Sequence, residues 1–232
     1  MKWKLIVIVA FIYQNGFSQG ISSILDKSTN PGEVLVEFDN RSVELKGSYY
    51  LLNDWQIGNV VFKSGASVVN QWVNYDLECD ILEVKLVDLV KVVPLMVIDN
   101  FIVSESEIKK RSFKPCSNYL LNNAVPLVGL CEVIDSNYFG LMIKYTAAIK
   151  KATYVPALDM GKKEDEKIVR QKYFLTIGNN AVALPRKKQL LIDLFAPYQD
   201  NLTLYMKENK LNYKNRHDLL ILLGYLNTLL DH

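Results

Sequence analysis

The chain has 232 residues, of which 50% are hydrophobic and 22% are charged, and its formal net charge is +2. A chain of this length can bury a hydrophobic core without several disulfides or a structural metal. The balanced charge, with no strongly basic stretch in which aromatic residues are interleaved, argues against nucleic-acid binding.

Residues 1–18 have the pattern of a cleaved secretory signal peptide. Lys2 and Lys4 precede an apolar run, and the small-residue site Gly16-Phe17-Ser18 follows it. The apolar run is too short to span a hydrocarbon core of roughly 30 Å as a helix, so a membrane anchor is the weaker interpretation. We expect cleavage after Ser18 and a soluble mature protein, with no transmembrane segment, in the periplasm or outside the cell.

Residues 19–46 form a polar lead-in in which the only predicted strand is Val34–Phe38. Charge is distributed unevenly beyond the signal: residues 19–143 contain 10 basic and 16 acidic residues, and residues 144–232 contain 15 and 9. Complementary or solvated faces are the simpler interpretation of this asymmetry. An anionic partner for the C-terminal half is the alternative.

Residues 47–103 are predicted to form a first antiparallel β-meander. Asn59–Lys63 and Ser67–Tyr75 are rich in β-branched and aromatic residues and are separated by a Ser-Gly pair, which is typical of a hairpin. In Leu82–Leu86 apolar and charged residues alternate, so this strand should have one buried and one exposed face. Pro94 lacks a backbone N–H and therefore predicts a sheet edge or a bulge.

A loop and a second β region are predicted next. Residues 104–125 are the most polar part of the middle of the chain and are predicted to be the loop. Residues 126–184 contain two hairpins, whose turns begin at Asp135 and at Gly178. A highly charged stretch at 150–170 separates these hairpins and is predicted to be a mobile excursion.

Residues 185–232 form a C-terminal helical segment. The apolar face of a first short helix consists of Leu190, Leu191, Leu194 and Phe195. A second helix is predicted over Gln199–Asn209. A third is the clearest element, because Asn215 can cap its start and leucines recur at helical spacing up to Leu230. The predicted fold class is therefore mainly β (α+β), an antiparallel meander sheet or open barrel with two to three C-terminal helices.

Two motifs connect the chain to a family. The first meander opens with Gly47-x-x-Tyr50-Leu51-x-x-x-Trp55-x-x-Gly58-x-Val60, and Lys207-x-Asn-Lys-Leu211 precedes the last helix. In these motifs the chain resembles a family of uncharacterised exported proteins of Gram-negative bacteria, over roughly residues 47–230. The resemblance implies β-hairpins and a closing helix, and it supplies no activity, substrate or catalytic residue. The chain departs from the family pattern in its apolar middle, Val84 to Ile102.

Few residues could supply catalytic or metal chemistry. The two histidines, His217 and His232, lie near no obvious nucleophile. The cysteines and histidines lack the spacing of a zinc site, and no glycine-rich phosphate loop occurs, so no metal or cofactor is predicted. In an exported chain the three cysteines allow one disulfide, for which Cys116 and Cys131 are the first pair to test and Cys79 is the remaining thiol.

Three acids alternate near a predicted strand end: Asp76, Glu78 and Asp80. Their carboxylates could share one side and hold a hard cation such as calcium, although a solvated turn is the simpler interpretation. The same acids are the candidates for a hydrolase. That function ranks third, because the acids of this chain are dispersed and the separation of a catalytic pair cannot be read from the sequence.

Aromatic residues are the one surplus in the composition, with 13 Tyr, 9 Phe and 3 Trp. On an exposed sheet face, aromatic side chains give rigid contact area for a sugar or a protein partner, whereas buried ones are ordinary core residues. The candidates for partner binding are Tyr49, Tyr50, Trp55, Trp72 and Tyr75.

By elimination, the sequence predicts a non-enzymatic binding module whose partner is an envelope protein or an outer-membrane complex. The more specific form of this prediction is an accessory subunit of an outer-membrane protein assembly. The alternative is a carrier that encloses a lipid or other apolar ligand in a half-barrel, which the apolar strands between Val84 and Val103 indicate.

Overall fold

The computed structural model describes residues 45–87, 89–106 and 108–230. The predicted signal peptide at 1–18, nearly all of the polar lead-in and the strand predicted at Val34–Phe38 lie outside the described residues. None of the helices in the described part of the chain has both the length and the hydropathy needed to cross a membrane.

In the described residues, thirteen strands belong to one sheet and three α-helices follow them. The strands are β1 (Lys46–Gly47), β2 (Gln56–Phe62), β3 (Ser67–Asp76), β4 (Ile81–Lys85), β5 (Val90–Pro94), β6 (Ile98–Ser104), β7 (Lys110–Pro115), β8 (Leu120–Leu121), β9 (Val125–Pro126), β10 (Leu130–Asp135), β11 (Phe139–Lys150), β12 (Glu166–Ile177) and β13 (Asn180–Ala183). The helices are α1 (Lys188–Leu194), α2 (Gln199–Glu208) and α3 (Arg216–Thr228).

The sheet is open and mostly antiparallel. Its strands follow the order β5-β4-β3-β2-β6-β7-β10-β11-β12-β13-β8-β9, and β1 pairs with β12. Among the described strands, only the pairs β1–β12 and β8–β13 are parallel. The fold is of the predicted class, mainly β with three C-terminal helices. Strand β5, which ends at Pro94, lies at an end of the sheet, as predicted for a residue that cannot donate to a ladder.

One face of the sheet encloses the largest hydrophobic core. Buried residues of β3 and β4 belong to the same cluster as residues of β10 and β11, although β2, β6 and β7 lie between these strands. The sheet therefore curls. An aromatic series crosses the interior: the ring centroids of Tyr75 and Phe101 lie 6.1 Å apart, those of Phe101 and Phe113 4.9 Å, and those of Phe113 and Tyr145 6.3 Å.

The three helices form a second core with β11 and β12. Leu141 and Leu175 of the sheet pack against Leu191 of α1, Leu202 of α2 and Leu222 of α3. The start of α3 is capped as the sequence predicts, because the side chain of Asn215 accepts hydrogen bonds from the backbone N–H groups of His217 and Asp218.

The predicted apolar face of α1 is wrong at one position. Leu191 and Phe195 are buried, but Leu190 is 52% exposed. The helix has only seven residues, so a face this narrow buries two or three side chains and leaves their immediate neighbours in solvent.

The predicted loop at 104–125 contains strand β7, which is a correction. Phe113 of this strand is fully buried and pairs with Phe101 of β6. Arg111, two residues earlier on the same face, made the segment look too polar for a strand. Its charge is paired with Glu132 of β10, which permits burial.

The charged excursion predicted at 150–170 is shorter in the structure. Strand β11 continues to Lys150 and β12 begins at Glu166, so residues 151–165 connect the two strands. Charged residues occur at the ends of both strands because this part of the hairpin extends past the core, where alternate side chains meet water.

A disulfide joins Cys116 and Cys131, the pair that the sequence favours, with their Cα atoms 5.3 Å apart. Both cysteines belong to a third small core with Met142 and Phe174 on the other face of β11 and β12. Cys79 is free and exposed.

Candidate binding site

An apolar surface covers the outer face of β3, β4 and β5. Trp72 pairs with Lys85 of β4, and Lys85 pairs with Val90 of β5, so these three residues share a face. Val92 lies two residues beyond Val90 on the same face. Trp72, Val90 and Val92 are 49%, 47% and 58% exposed. We refer to Trp72, Lys85, Val90 and Val92 as the Trp72 face.

Two other predicted aromatics, Tyr50 and Trp55, are at least partly exposed. Tyr50 is 38% exposed, and its hydroxyl donates a 2.9 Å hydrogen bond to Oε1 of Glu83. That hydrogen bond raises the pKa of Tyr50, and burial adds to the effect. Because Glu83 pairs with Val92, Tyr50 borders the Trp72 face. Trp55 precedes β2 and is partly buried.

The remaining two predicted aromatics are not on the Trp72 face. Tyr75 is fully buried in the curled sheet, where burial, followed by its hydrogen bond to Asp80, raises the pKa of its hydroxyl. Tyr49 is nearly buried, with the Lys167 ammonium 5.0 Å from its ring centroid. The structure thus does not bring the five predicted residues together. Trp72 and Tyr50 lie at an exposed face, Tyr75 lies in the core and Tyr49 lines a depression on another part of the surface.

This depression has a volume of about 500 Å³ and lies between β11 and the turn that joins β3 to β4. Tyr49, Leu77, Glu78, Asp80, Val128, Gly129 and residues 144–149 line it. Lys144 is at one end, and its burial lowers the pKa of its ammonium group, an effect that the Asp80 carboxylate opposes. We call this depression the cleft.

The three alternating acids are not arranged as a cation site. The Asp76 carboxylate accepts hydrogen bonds from the backbone N–H groups of Glu78 and Cys79, so it closes its own turn. Asp80 accepts a 2.7 Å hydrogen bond from the Tyr75 hydroxyl. Among the residues that the structure describes, no three His, Cys, Asp or Glu side chains come together in an arrangement that could hold a metal ion.

A charged cluster lies on the inner face of the sheet. Arg111 Nη2 donates to Oε2 of Glu132 over 2.8 Å, and Arg111 Nε donates to Oε1 over 3.1 Å. The Tyr145 hydroxyl donates to the same carboxylate. Burial raises the pKa of Tyr145, and the hydrogen bond to Glu132 reinforces this, so the phenol stays protonated and remains a donor. All partners are satisfied, which is the signature of a structural cluster.

The sequence analysis missed the role of β11 in the cleft. Strand β11 has 12 residues, whereas its hairpin partner β10 has 6. Part of the β11 edge therefore extends past β10. The sequence did not indicate this, because the lengths of the two strands are known only from the structure.

Comparison of the chain with protein-family models, curated proteins and solved structures finds no match in any of the three.

Proposed function

We propose that this chain is an exported, non-enzymatic binding module that contacts a protein of the bacterial envelope through the Trp72 face. The observation that carries the proposal is the exposure of Trp72 together with Val90 and Val92 on one sheet face. The signal-peptide pattern and the family resemblance support its export. In its more specific form, the protein is an accessory subunit of an outer-membrane assembly.

The Trp72 face has the composition of a protein-binding surface. Large aromatic anchors dominate binding energy when a partner removes them from water, and charged groups at the rim set specificity. Lys85 lies between Trp72 and Val90, and Tyr50 holds Glu83 beside Val92. Exposed valines on a terminal strand are otherwise an aggregation hazard, which a bound partner would remove.

The test is quantitative co-purification from gently solubilised envelopes of the protein's own cells. We expect a defined envelope protein to co-purify with the tagged chain, and Trp72→Ala to lower its recovery about tenfold or more. Tyr138→Ala is the matched control, because Tyr138 is also an exposed aromatic residue, at 53%, and lies in a different hairpin. Equal recovery with both variants would refute the assignment to the Trp72 face.

The cleft favours a second candidate, a carrier of a small apolar ligand. Tyr49, Leu77 and Val128 supply an apolar lining, whereas the interior of the curled sheet is filled by its own aromatic residues. A carrier should release a stoichiometric lipid or other apolar compound on solvent extraction, which mass spectrometry would detect. The hydrolase using Asp76, Glu78 and Asp80 stays a third-ranked prediction.

A further inference from the structure

Half of strand β11 has an uncovered edge. On one side β11 pairs with β12 along its whole length, from Phe139 to Lys150. On the other side β10 pairs with it only as far as Lys144. The Cys131–Lys144 pair still places Leu130, the first residue of β10, opposite Tyr145. In the part of the chain that the structure describes, no strand pairs with this second edge from Thr146 to Lys150.

Two hydrogen bonds show which backbone groups face that edge. The Asn227 side-chain amide donates to the Phe139 carbonyl and accepts from the Phe139 N–H, so this residue's backbone points away from β12. Across the pairing, the Tyr173 carbonyl accepts from Leu184 N–H and so points away from β11. Ile143 is paired with Tyr173, so the backbone N–H and C=O groups of Ile143 also point away from β12.

Backbone direction in a strand alternates with a period of two. The register between β11 and β12 is continuous, so Phe139 and Ile143 fix the direction of every later odd-numbered residue. Tyr145, Ala147 and Ile149 therefore direct their N–H and C=O groups to this side of β11. The Tyr145 N–H meets the Leu130 carbonyl of β10, because hydrogen bonds flank a non-hydrogen-bonded pair such as Cys131–Lys144. The open groups are those of Ala147 and Ile149. Thr146 and Ala148 direct theirs to β12.

This edge forms one wall of the cleft. Residues 144–149 line it on one side, and Leu77, Glu78 and Asp80 line it on the other. The edge offers the donors and acceptors of Ala147 and Ile149, which lie two residues apart, and an extended polypeptide is the ligand whose backbone repeats with the same spacing. A second sheet is too broad to enter a depression of about 500 Å³.

The charged residues that line the cleft determine which charge a bound polypeptide segment should carry. Glu78 and Asp80 are acidic, and Lys144 is the one cation among the described residues that line the cleft. Asp80 is engaged by the Tyr75 hydroxyl and lies near Lys144, whereas the exposed Glu78 has no ion pair within the described residues. A basic side chain on the incoming segment would supply that partner.

We propose that the cleft binds an extended, basic segment of a protein partner, which adds as a strand to Ala147 and Ile149 of β11 and places a lysine or arginine beside Glu78. This site is separate from the Trp72 face, so Trp72→Ala leaves it unchanged.

The first test is backbone amide hydrogen exchange in the purified protein, followed by NMR. The amides of Ala147 and Ile149 should exchange quickly, and those of Thr146 and Ala148 should be protected by the ladder to β12. Protection of all four amides would overturn the proposal. If that protection depended on protein concentration, a second copy of the chain would cover the edge. If removal of residues 19–44 abolished the protection, the lead-in would cover the edge.

The second test uses capped hexapeptides of alternating threonine and valine with one central lysine, and the same peptides with a central glutamate. The lysine peptide should protect the two open amides and bind about tenfold tighter than the glutamate peptide. Glu78→Gln should remove this preference, and the matched control Glu208→Gln, at the exposed end of α2, should retain it. Equal binding of the two peptides, or no protection by either, would overturn the proposal.

A further variant tests the strand-addition geometry itself. Ala147→Pro removes an N–H that faces the uncovered edge and leaves the hydrogen bonds to β12, which come from its neighbours. It should abolish peptide binding while Thr146 and Ala148 remain protected, which also shows that the hairpin is folded. Undiminished binding would show that the peptide does not pair with this edge.

Discussion

Arg111 and Glu132 show how single residues set the stability of the curled sheet. Their side chains are only 17% and 6% exposed, and the pair spans β7 and β10. Such a buried pair contributes little in net terms compared with apolar residues of the same size. Removal of one partner nevertheless lowers the free energy of unfolding strongly, because the other charge stays buried without a partner.

We expect Arg111→Met to lower the free energy of unfolding by about 3 kcal/mol or more, since it leaves the Glu132 carboxylate without its cation. Urea denaturation followed by circular dichroism measures this. The double variant Arg111→Met with Glu132→Leu should recover most of the loss. Lys109→Met, which removes only the exposed partner of Glu105, should cost less than about 1 kcal/mol. A loss of that small size for Arg111→Met would contradict the account.

Glu105 gives the protein a dependence of stability on pH. Its hydrogen bond to Lys109 lowers the pKa of the carboxyl below its usual value of 4.5, and Arg111 adds to the effect. Because the folded-state pKa is depressed, the stabilisation is present above the unfolded-state value and is lost as the pH falls through the folded-state pKa.

The stability difference between the native chain and Glu105→Gln should therefore be larger at pH 7 than at pH 3. We expect a difference below about 1 kcal/mol, because water and salt screen this partly exposed group. Urea titrations at the two pH values measure it. A difference that is the same at both would show that the charge of Glu105 does not matter.

The sequence predicted the candidate aromatic residues as one group, although the period of a strand already divides two of them. Trp72 and Tyr75 are three residues apart in β3, so they point to opposite faces. Leu82 and Val84, whose burial was predicted, pair with Tyr75 and Val73 and mark the inner face. The position of Tyr49 in the cleft could not be predicted, because it depends on contacts between distant segments.

At the scale of elements, Asn227 connects α3 to the sheet. Its side-chain amide exchanges two hydrogen bonds with the backbone of Phe139 at the start of β11, as a neighbouring strand would do. Asn227→Ala leaves both backbone groups without their partner. We expect a loss of about 2 kcal/mol in urea denaturation. Asn201→Ala, at an exposed position of α2, serves as the control and should change stability by less than about 0.5 kcal/mol.

The disulfide between Cys116 and Cys131 constrains the segment that connects β7 to β10. Its loop of 15 residues predicts a stabilisation of about 3 kcal/mol through the entropy of the unfolded chain. Replacement of both cysteines by alanine should lower the free energy of unfolding by this amount, whereas Cys79→Ser should leave it nearly unchanged. A double variant as stable as the native chain would show that the link contributes nothing.

Local elements were predictable where the turn or cap residues and the periodicity of the hydrophobic residues indicate the same structure. The hairpin of β2 and β3 and the cap of α3 both depend on residues that are close in sequence. The return of β6 to the free side of β2 was not predictable, because it joins strands that are distant in sequence. Strand β7 was missed because a charged residue such as Arg111 predicts an exposed segment unless its partner on β10 is known.

At the scale of the whole molecule, two uncovered backbone edges of the curled sheet lie beside the candidate binding surfaces. Strand β5 lies at one end of the sheet, beside the Trp72 face, and the second half of β11 lies in the cleft. Native sheets rarely leave such edges beside exposed apolar side chains unless a partner covers them. The architecture therefore supports a binding function more strongly than any individual side chain does.

The most direct measurement is site-specific photocrosslinking in the protein's own cells, with a benzophenone amino acid in place of Trp72. We expect a crosslink to one defined envelope protein, and no such product from the same probe at Leu204, which is 56% exposed on α2. The absence of a crosslinked protein at position 72, or identical products at both positions, would contradict the claim that the Trp72 face binds a partner.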